Sequence, residues 1–144
     1  MIAIDTNILV YAHQTDSPWR DAALAAIQPI VEGTKPWALP WPCIHEFFGV
    51  VTHARFKVPS TPQQALGMIS ALLASPSVQV IGESPKHFTL LSSLILDGKV
   101  SGPMVHDARI AAICLSHGVL ELLSVDRDFS RFPQLKVRNP LIAH

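Results

Sequence analysis

Short apolar runs of strand length alternate with longer segments of helical periodicity, and this alternation restricts the fold more than any other feature of the sequence. Strand-like runs occur at residues 2–4, 38–40, 78–81 and 120–125, and a short edge-strand segment follows near 135–137. Strands that alternate with helices in this way pair in parallel and carry helices on both faces of the sheet. The pattern therefore predicts an α/β/α sandwich with a short, largely parallel central sheet, built as one domain from residues 1–144.

Helix boundaries are indicated by capping residues and by proline and glycine. Ser or Thr before Pro marks a helix start, and Gly marks an end. These signals predict helices over residues 7–13, from Ser17-Pro18 to Gly33, from 42 to about 55, from Thr61-Pro62, from Ser84-Pro85, and from 103 to about 117.

Composition excludes several classes of protein. Although 49% of the 144 residues are hydrophobic, no apolar run reaches the roughly 18 residues that a membrane helix needs. The N-terminal apolar run has no basic leader and soon meets Asp5, which predicts a cytoplasmic protein without a signal peptide. Cys43 and Cys114 are far apart and are interpreted as buried small residues, not as a disulfide or a zinc site. The 11 basic and 11 acidic residues balance, unlike those of a generic nucleic-acid coat protein.

The acids matter for their positions. Asp5 stands at the carboxyl end of the first strand, where open α/β sheets bind their ligands. Asp126 and Asp128 follow the last long strand in the same way, and Asp126 is the better candidate because it comes first after the strand. Helix capping by Asp5 and an Asp-containing turn at residues 126–128 are the simpler alternatives.

Two further acids fall on helix faces that are otherwise apolar. Glu46 lies in PCIHEFFGVV and Asp107 in VHDARIAAICLSHG. A buried carboxylate requires a cation or a donor to meet it, so both acids indicate a site. The alternatives are a helix rotated so that Glu46 is solvated, and an Asp107 that merely interacts with the partial positive charge of its helix N-terminus.

The predicted sheet brings four acids to one edge: Asp5, Glu46, Asp107 and Asp126. That convergence has a chemical consequence. Carboxylates packed within about 4–6 Å repel one another, and a divalent cation relieves that repulsion. Hard oxygen ligands suit Mg²⁺ or Mn²⁺. Such an ion activates water and neutralises charge on a phosphoryl group, so the predicted chemistry is phosphodiester hydrolysis.

The order of these motifs, Asp in DTNILVYA, Glu in HEF, Asp in HDARIAA and then SVDRDF, resembles the PIN-domain ribonucleases, and more narrowly the VapC-type toxins. The resemblance covers nearly the whole chain. It implies a PIN-like fold and a metal-dependent endoribonuclease that cleaves tRNA, rRNA or mRNA with metal-activated water. It also implies the toxin of a type II toxin–antitoxin pair, inhibited by a cognate VapB-type antitoxin, and a homodimer.

The resemblance also assigns roles to individual residues. It implies a catalytic metal site made of Asp5, Glu46, Asp107 and Asp126. It implies that three polar residues orient those acids, namely Thr6, Asn7 and Ser124, with Asp128 as a further supporting acid. Arg127 and Arg131 are the best candidates for RNA contacts because they stand next to the acids. The competing interpretation is an inactive PIN-fold binding module whose acidic pocket receives a basic segment of a partner.

Overall fold

A computed structural model describes residues 1–142, and over that part of the chain five short strands alternate with α-helices. The strands are β1 (Ile2–Ile4), β2 (Trp37–Pro40), β3 (Val78–Ile81), β4 (Glu121–Leu123) and β5 (Lys136–Arg138). The helices are α1 (Thr6–His13), α2 (Arg20–Glu32), α3 (Trp41–Val51), α4 (Pro62–Leu73), α5 (His87–Gly98) and α6 (Val105–Ser116). Two short 3-10 helices lie at Gly102–Met104 and Arg127–Arg131.

The strands form one sheet in the order β3-β2-β1-β4-β5, and every neighbouring pair is parallel. The chain first builds outward from β1 through β2 to β3, and then crosses to the other side of β1 for β4 and β5. This reversal lies between β1 and β4. In open α/β sheets the crevice at such a reversal, outside the carboxyl ends of the strands, is where ligands bind.

Two apolar cores cover the two faces of the sheet. Alternate strand residues point to opposite faces, so Ala3 and Leu122 pack with α5 and α6, whereas Ile4 and Leu123 pack with α1 to α4. All four of these side chains are completely buried. The predicted α/β/α sandwich with a parallel sheet is therefore confirmed.

Several helix boundaries differ from their predictions. The second helix begins at Arg20, because Ser17 accepts the amide of Trp19 with its hydroxyl (3.1 Å) and the amide of Arg20 with its carbonyl (3.2 Å), which makes a separate turn. Helix α5 begins at His87 for the same reason, because the hydroxyl and the carbonyl of Ser84 both accept backbone amides in a turn that precedes the helix. Ser17 and Ser84 are thus turn residues and not helix caps.

The two helices on either side of the loop at residues 52–61 also test the capping signals. Helix α3 ends at Val51, several residues earlier than predicted, and its last carbonyl accepts the amide of Ser60 at 2.8 Å. Helix α4 begins as predicted: the hydroxyl of Thr61 accepts the amide of Gln64, and the Gln64 side chain accepts the amide of Thr61. This reciprocal pair is a capping box, which satisfies two otherwise unpaired donors.

Two of the features considered from composition can be located among the described residues. Across residues 1–142 no helix combines the length and the apolar character that a membrane span requires. Cys43 and Cys114 are both buried, and neither is in a disulfide.

Gly98, the last residue of α5, allows the 3-10 helix at Arg127–Arg131 to approach α5 closely. A Cβ at this position would lie 3.1 Å from the carbonyl oxygen of Arg131 and 3.3 Å from the ring of Phe132. The first contact is with backbone, which cannot rotate away. Gly67 in the middle of α4 is different, because nothing lies within 4 Å of the corresponding point.

These two glycines make a matched test of the packing. We expect Gly98→Ala to lower the free energy of unfolding by about 1–3 kcal/mol through overpacking. We expect Gly67→Ala to raise it by about 0.5–1 kcal/mol, because alanine is the better helix former. Urea unfolding followed by circular dichroism measures both. A Gly98→Ala protein as stable as the parent would contradict the close approach.

Candidate active site

The reversal between β1 and β4 brings two loops together at the centre of the sheet. The amide of Asp5 donates to the carbonyl of Leu123 at 2.9 Å, so the residue after β1 continues the pairing with β4. Ser124 follows Leu123 directly, and its side chain therefore meets Asp5 at the same edge. The chain thus places an acid and a hydroxyl in contact although they are 119 residues apart.

Asp5 is buried, and four donors surround its carboxylate. One oxygen accepts the backbone amide of Thr6 at 2.8 Å and the thiol of Cys43 at 3.5 Å. The other accepts the hydroxyl of Ser124 at 2.7 Å and the side-chain NH₂ of Asn7 at 3.3 Å. Burial raises the pKa of Asp5, and the hydrogen bonds from Ser124, Thr6 and Cys43 oppose that rise. Asp5 is also the N-cap of α1, so the capping interpretation and the site interpretation both describe it.

Ser124 and Asn7 fix the loop that follows β4. The hydroxyl of Ser124 donates to Asp5. It accepts from the side-chain NH₂ of Asn7 at 3.3 Å and from the backbone amide of Asp126 at 3.0 Å. The side-chain oxygen of Asn7 accepts the backbone amide of Val125 at 3.2 Å. These contacts tie α1 to the residues that carry Asp126.

Glu46 reaches the site from the edge of α3. Its carboxylate accepts the hydroxyl of Thr6 at 2.8 Å, but the residue is exposed. Gly49 and Val50, one turn further along, are exposed as well. The expectation that Glu46 lies on a buried apolar face is therefore wrong, because α3 is rotated so that this face borders a pocket open to solvent.

A tight acid cluster completes the site. Asp107, Asp126 and Asp128 each offer a carboxylate oxygen, and these oxygens lie within 4.8 Å of one another. The half-buried Asp107 comes from the first turn of α6, and the other two come from the loop after β4. Burial, followed by the charge of Asp126, raises the pKa of Asp107 to about 7. The sequence favoured Asp126 over Asp128, whereas the structure brings both into the cluster.

Asp5, Glu46, Asp107 and Asp126 all line one pocket of about 340 Å³. Its remaining wall is largely apolar and contains Val10, Val50 and Phe56. The candidate ligand atoms are all carboxylate oxygens, the ligands that hard divalent cations such as Mg²⁺ and Mn²⁺ prefer. The mutual repulsion that raises the pKa of Asp107 is the electrostatic strain that such a cation relieves.

The two arginines proposed for RNA contacts differ in their surroundings. Arg127 is exposed and lines a groove together with Asp126. Arg131 donates from one terminal nitrogen to the carbonyl of Gly98 at 3.0 Å and to that of Lys99 at 3.4 Å. It therefore satisfies carbonyls at the C-terminus of α5, a structural contact that the sequence did not indicate.

Cys43 is a member of the site that was not predicted from the sequence. Cys43 is buried as predicted, but its thiol donates to Asp5. Burial raises the pKa of Cys43 well above its ordinary value, so it stays protonated and remains a donor. Its position on α3, three residues before Glu46, was the available signal.

Comparisons with known proteins find relatives of this chain in sequence and in structure. The PIN domain family matches residues 2–135. A VapC ribonuclease of Mycobacterium bovis is 33% identical over 142 residues, which are 98% of this chain and 96% of that protein. The VapBC2 structure from Rickettsia felis, bound to a DNA fragment from its promoter, superposes with a TM-score of 0.70 at 20% identity, over 96% of this chain and 98% of that one. VapC20 of Mycobacterium tuberculosis, a toxin that cleaves the sarcin–ricin loop, superposes with a TM-score of 0.69 at 14% identity, over 96% of this chain and all (100%) of that one.

The acid cluster predicts an unusual dependence of stability on pH. Unfolded Asp107 loses its proton near the ordinary value of 3.8, whereas the folded protein holds it to about 7. Between these values the folded state binds more protons, so the free energy of unfolding falls as pH rises. Allowing for solvent screening of this half-exposed group, Asp107→Asn should stabilise the metal-free protein by about 1 kcal/mol near pH 8 and by little near pH 4.

Thermal unfolding in EDTA at both pH values measures this effect. Asp97→Asn, which removes an exposed acid on α5, is the control for loss of one surface charge. An Asp107→Asn protein that is destabilised near pH 8 would contradict the raised pKa of Asp107.

Proposed function

Because the chain belongs to the PIN-domain family, among the VapC ribonucleases, we propose that it is an endoribonuclease and the toxin of a type II toxin–antitoxin pair. The proposal treats residues 1–144 as one domain that hydrolyses RNA phosphodiesters. It places the protein in the cytoplasm, where RNA is made and where a protein antitoxin can meet it.

The observation that carries the proposal is the convergence of acids from four separate segments on one pocket. Asp5 follows β1, Glu46 lies on α3, Asp107 on α6 and Asp126 after β4. When bound there, a divalent cation activates water as a nucleophile and neutralises charge on the phosphoryl oxygens. We propose Mg²⁺ or Mn²⁺ for this role, because both accept ligand sets made only of oxygen.

The acids of the site have separate proposed roles. We propose Asp107 and Asp126, whose carboxylate oxygens lie within 4.8 Å of each other, as direct ligands along with Asp5, with Glu46 completing the site. Asp128 supports Asp126, whose carboxylate accepts the Asp128 amide at 2.8 Å.

The polar residues around Asp5 hold the acids in place. Thr6 links Asp5 and Glu46, because its amide donates to the first and its hydroxyl to the second. Asn7 and Ser124 hold Asp5 and the loop that carries Asp126. We propose that all three are positioning residues that keep the acids oriented before an ion arrives.

The RNA substrate and the protein partner follow from the relatives. The VapC20 toxin cleaves the sarcin–ricin loop, and VapBC2 pairs a toxin with its antitoxin. We propose for this chain a structured RNA substrate, tRNA, rRNA or mRNA, and a VapB-type antitoxin whose basic segment reaches the acidic pocket. Arg127 is placed to contact phosphates beside the acids, and Arg131 would do so in addition to its contact with α5. The homodimer stays a prediction.

Cleavage of total bacterial RNA by the purified protein tests the activity. We expect discrete fragments with Mg²⁺ or Mn²⁺ and none with EDTA. We expect Asp5→Asn and Asp107→Asn to cleave at least about 100-fold more slowly, since changes behind a metal ligand already cost 10–100-fold.

Asp97→Asn, on α5 and outside the pocket lining, should cleave like the parent. Cleavage at the parent's rate by Asp5→Asn would exclude this mechanism. If no metal supports cleavage and a basic antitoxin segment still binds, the inactive binding module becomes the better description.

A further inference from the structure

A second cleft adjoins the acidic pocket on the far side of Glu46. It has a volume of about 200 Å³ and is lined by Pro42, His45, Glu46, His106 and Arg109. We refer to it as the flanking cleft. It is smaller than the 300–1,000 Å³ of a typical small-molecule site, so it fits one group of a longer ligand better than a whole small molecule. Because Glu46 lines both spaces, the flanking cleft and the acidic pocket are neighbours.

Arg109 gives the flanking cleft a fixed positive charge with free donors. Its Nε donates to the carboxylate of Glu83, which orients the guanidinium. Among the described residues nothing accepts from its two terminal amino groups, and its side chain is 40% exposed. Arginine presents these donors in a planar fork that matches the oxygens of a phosphate.

The two histidines add further donors. Within residues 1–142, no group hydrogen-bonds to the ring of His45 or His106, and both residues are exposed. Each imidazole carries at least one N–H in either ionisation state. Of the two nearby acids, Glu46 accepts the hydroxyl of Thr6 with one oxygen, and Glu83 accepts Nε of Arg109 with one oxygen. The cleft therefore presents the donors of Arg109, His45 and His106 beside one carboxylate, that of Glu46.

An aromatic surface borders these donors. The Trp41 indole stacks on the His45 ring with centroids 6.0 Å apart and an angle of 27° between planes. The loop after β3 passes beneath it, where a Cβ on Gly82 would lie 3.6 Å from the indole. Trp41 is nonetheless 44% exposed. A large apolar ring held from two sides and open to solvent is suited to stacking on an unpaired base.

We propose that the flanking cleft binds the nucleotide next to the scissile phosphodiester. Arg109 and His106 contact its phosphate, and the base stacks on Trp41. This assignment rests on the proposed function, because the acidic pocket defines where the scissile phosphate lies. An acidic peptide would use Arg109 equally well, but it offers no second phosphate for the adjoining pocket, and it stacks on Trp41 only where it carries an aromatic residue.

Binding of a short fluorescein-labelled single-stranded RNA of randomised sequence tests the proposal. Fluorescence anisotropy is measured in the Asp5→Asn background, so that cleavage does not interfere, over a series of salt concentrations. For Arg109→Gln we expect weaker binding and a salt slope smaller by about 0.7, the value for one phosphate contact on a single strand. For Trp41→Leu we expect binding at least about 5-fold weaker with the slope unchanged, since stacking is not ionic.

Arg138→Gln is the matched control. Arg138 also pairs through Nε with a glutamate, Glu121, and its side chain has the same 40% exposure, but it lies outside both pockets. It should change neither affinity nor slope. Arg109→Lys, which keeps the charge but not the fork, should recover the slope and only part of the affinity.

The outcomes separate this proposal from the proposed function. RNA affinity unchanged in both Arg109→Gln and Trp41→Leu would overturn the proposal, and loss of inhibition by the antitoxin in those variants would then assign the cleft to the protein partner. If the parent chain with Asp5 intact cleaves no RNA but the expected binding pattern appears, the nuclease fails and the flanking cleft stands as an RNA site.

Discussion

A carboxylate stays buried only where donors meet it, and the burial of Asp5 at the end of the central strand sets this requirement for the rest of the site. Its donors come from α1, from α3 and from the loop after β4. These segments are distant in sequence, and only a parallel sheet that reverses its order beside β1 brings them together. The fold and the site therefore depend on the same arrangement of strands.

The second electrostatic constraint works in the opposite direction. Asp5 is surrounded by donors, whereas Asp107, Asp126 and Asp128 face one another across less than 5 Å and repel. One acid is thus stabilised by the protein, and three are left for a cation to stabilise. A site of this kind trades some stability of the empty protein for affinity toward a divalent ion.

Much of the fold could be predicted from the sequence because it follows from local patterns. The strands at Ile2–Ile4 and Val78–Ile81 and the capping box at Thr61 depend on neighbouring residues only. The same signals failed at Ser17 and Ser84, where a serine before proline closes a turn on its own backbone instead of capping the helix.

The candidate site was harder to predict in detail, because its contacts are between distant segments. The acids themselves could be chosen, since an acid at a strand end or on an apolar helix face is unusual. The rotation of α3 that exposes Glu46, the thiol of Cys43 as a donor and the contact of Arg131 with α5 depend on packing between elements. No periodicity in the sequence encodes those contacts.

The loop after β4 is fastened at both ends. Ser124 accepts the amide of Asp126 at its start, and at its end Arg131 holds the carbonyls that close α5, next to the glycine that lets the turn approach. An ion that enters the cluster therefore has little chain to order, and the loss of conformational entropy that weakens many flexible metal sites is small here. Exchange of the ion can proceed by side-chain rotation alone, so the backbone that positions the flanking groups need not move when the metal arrives or leaves.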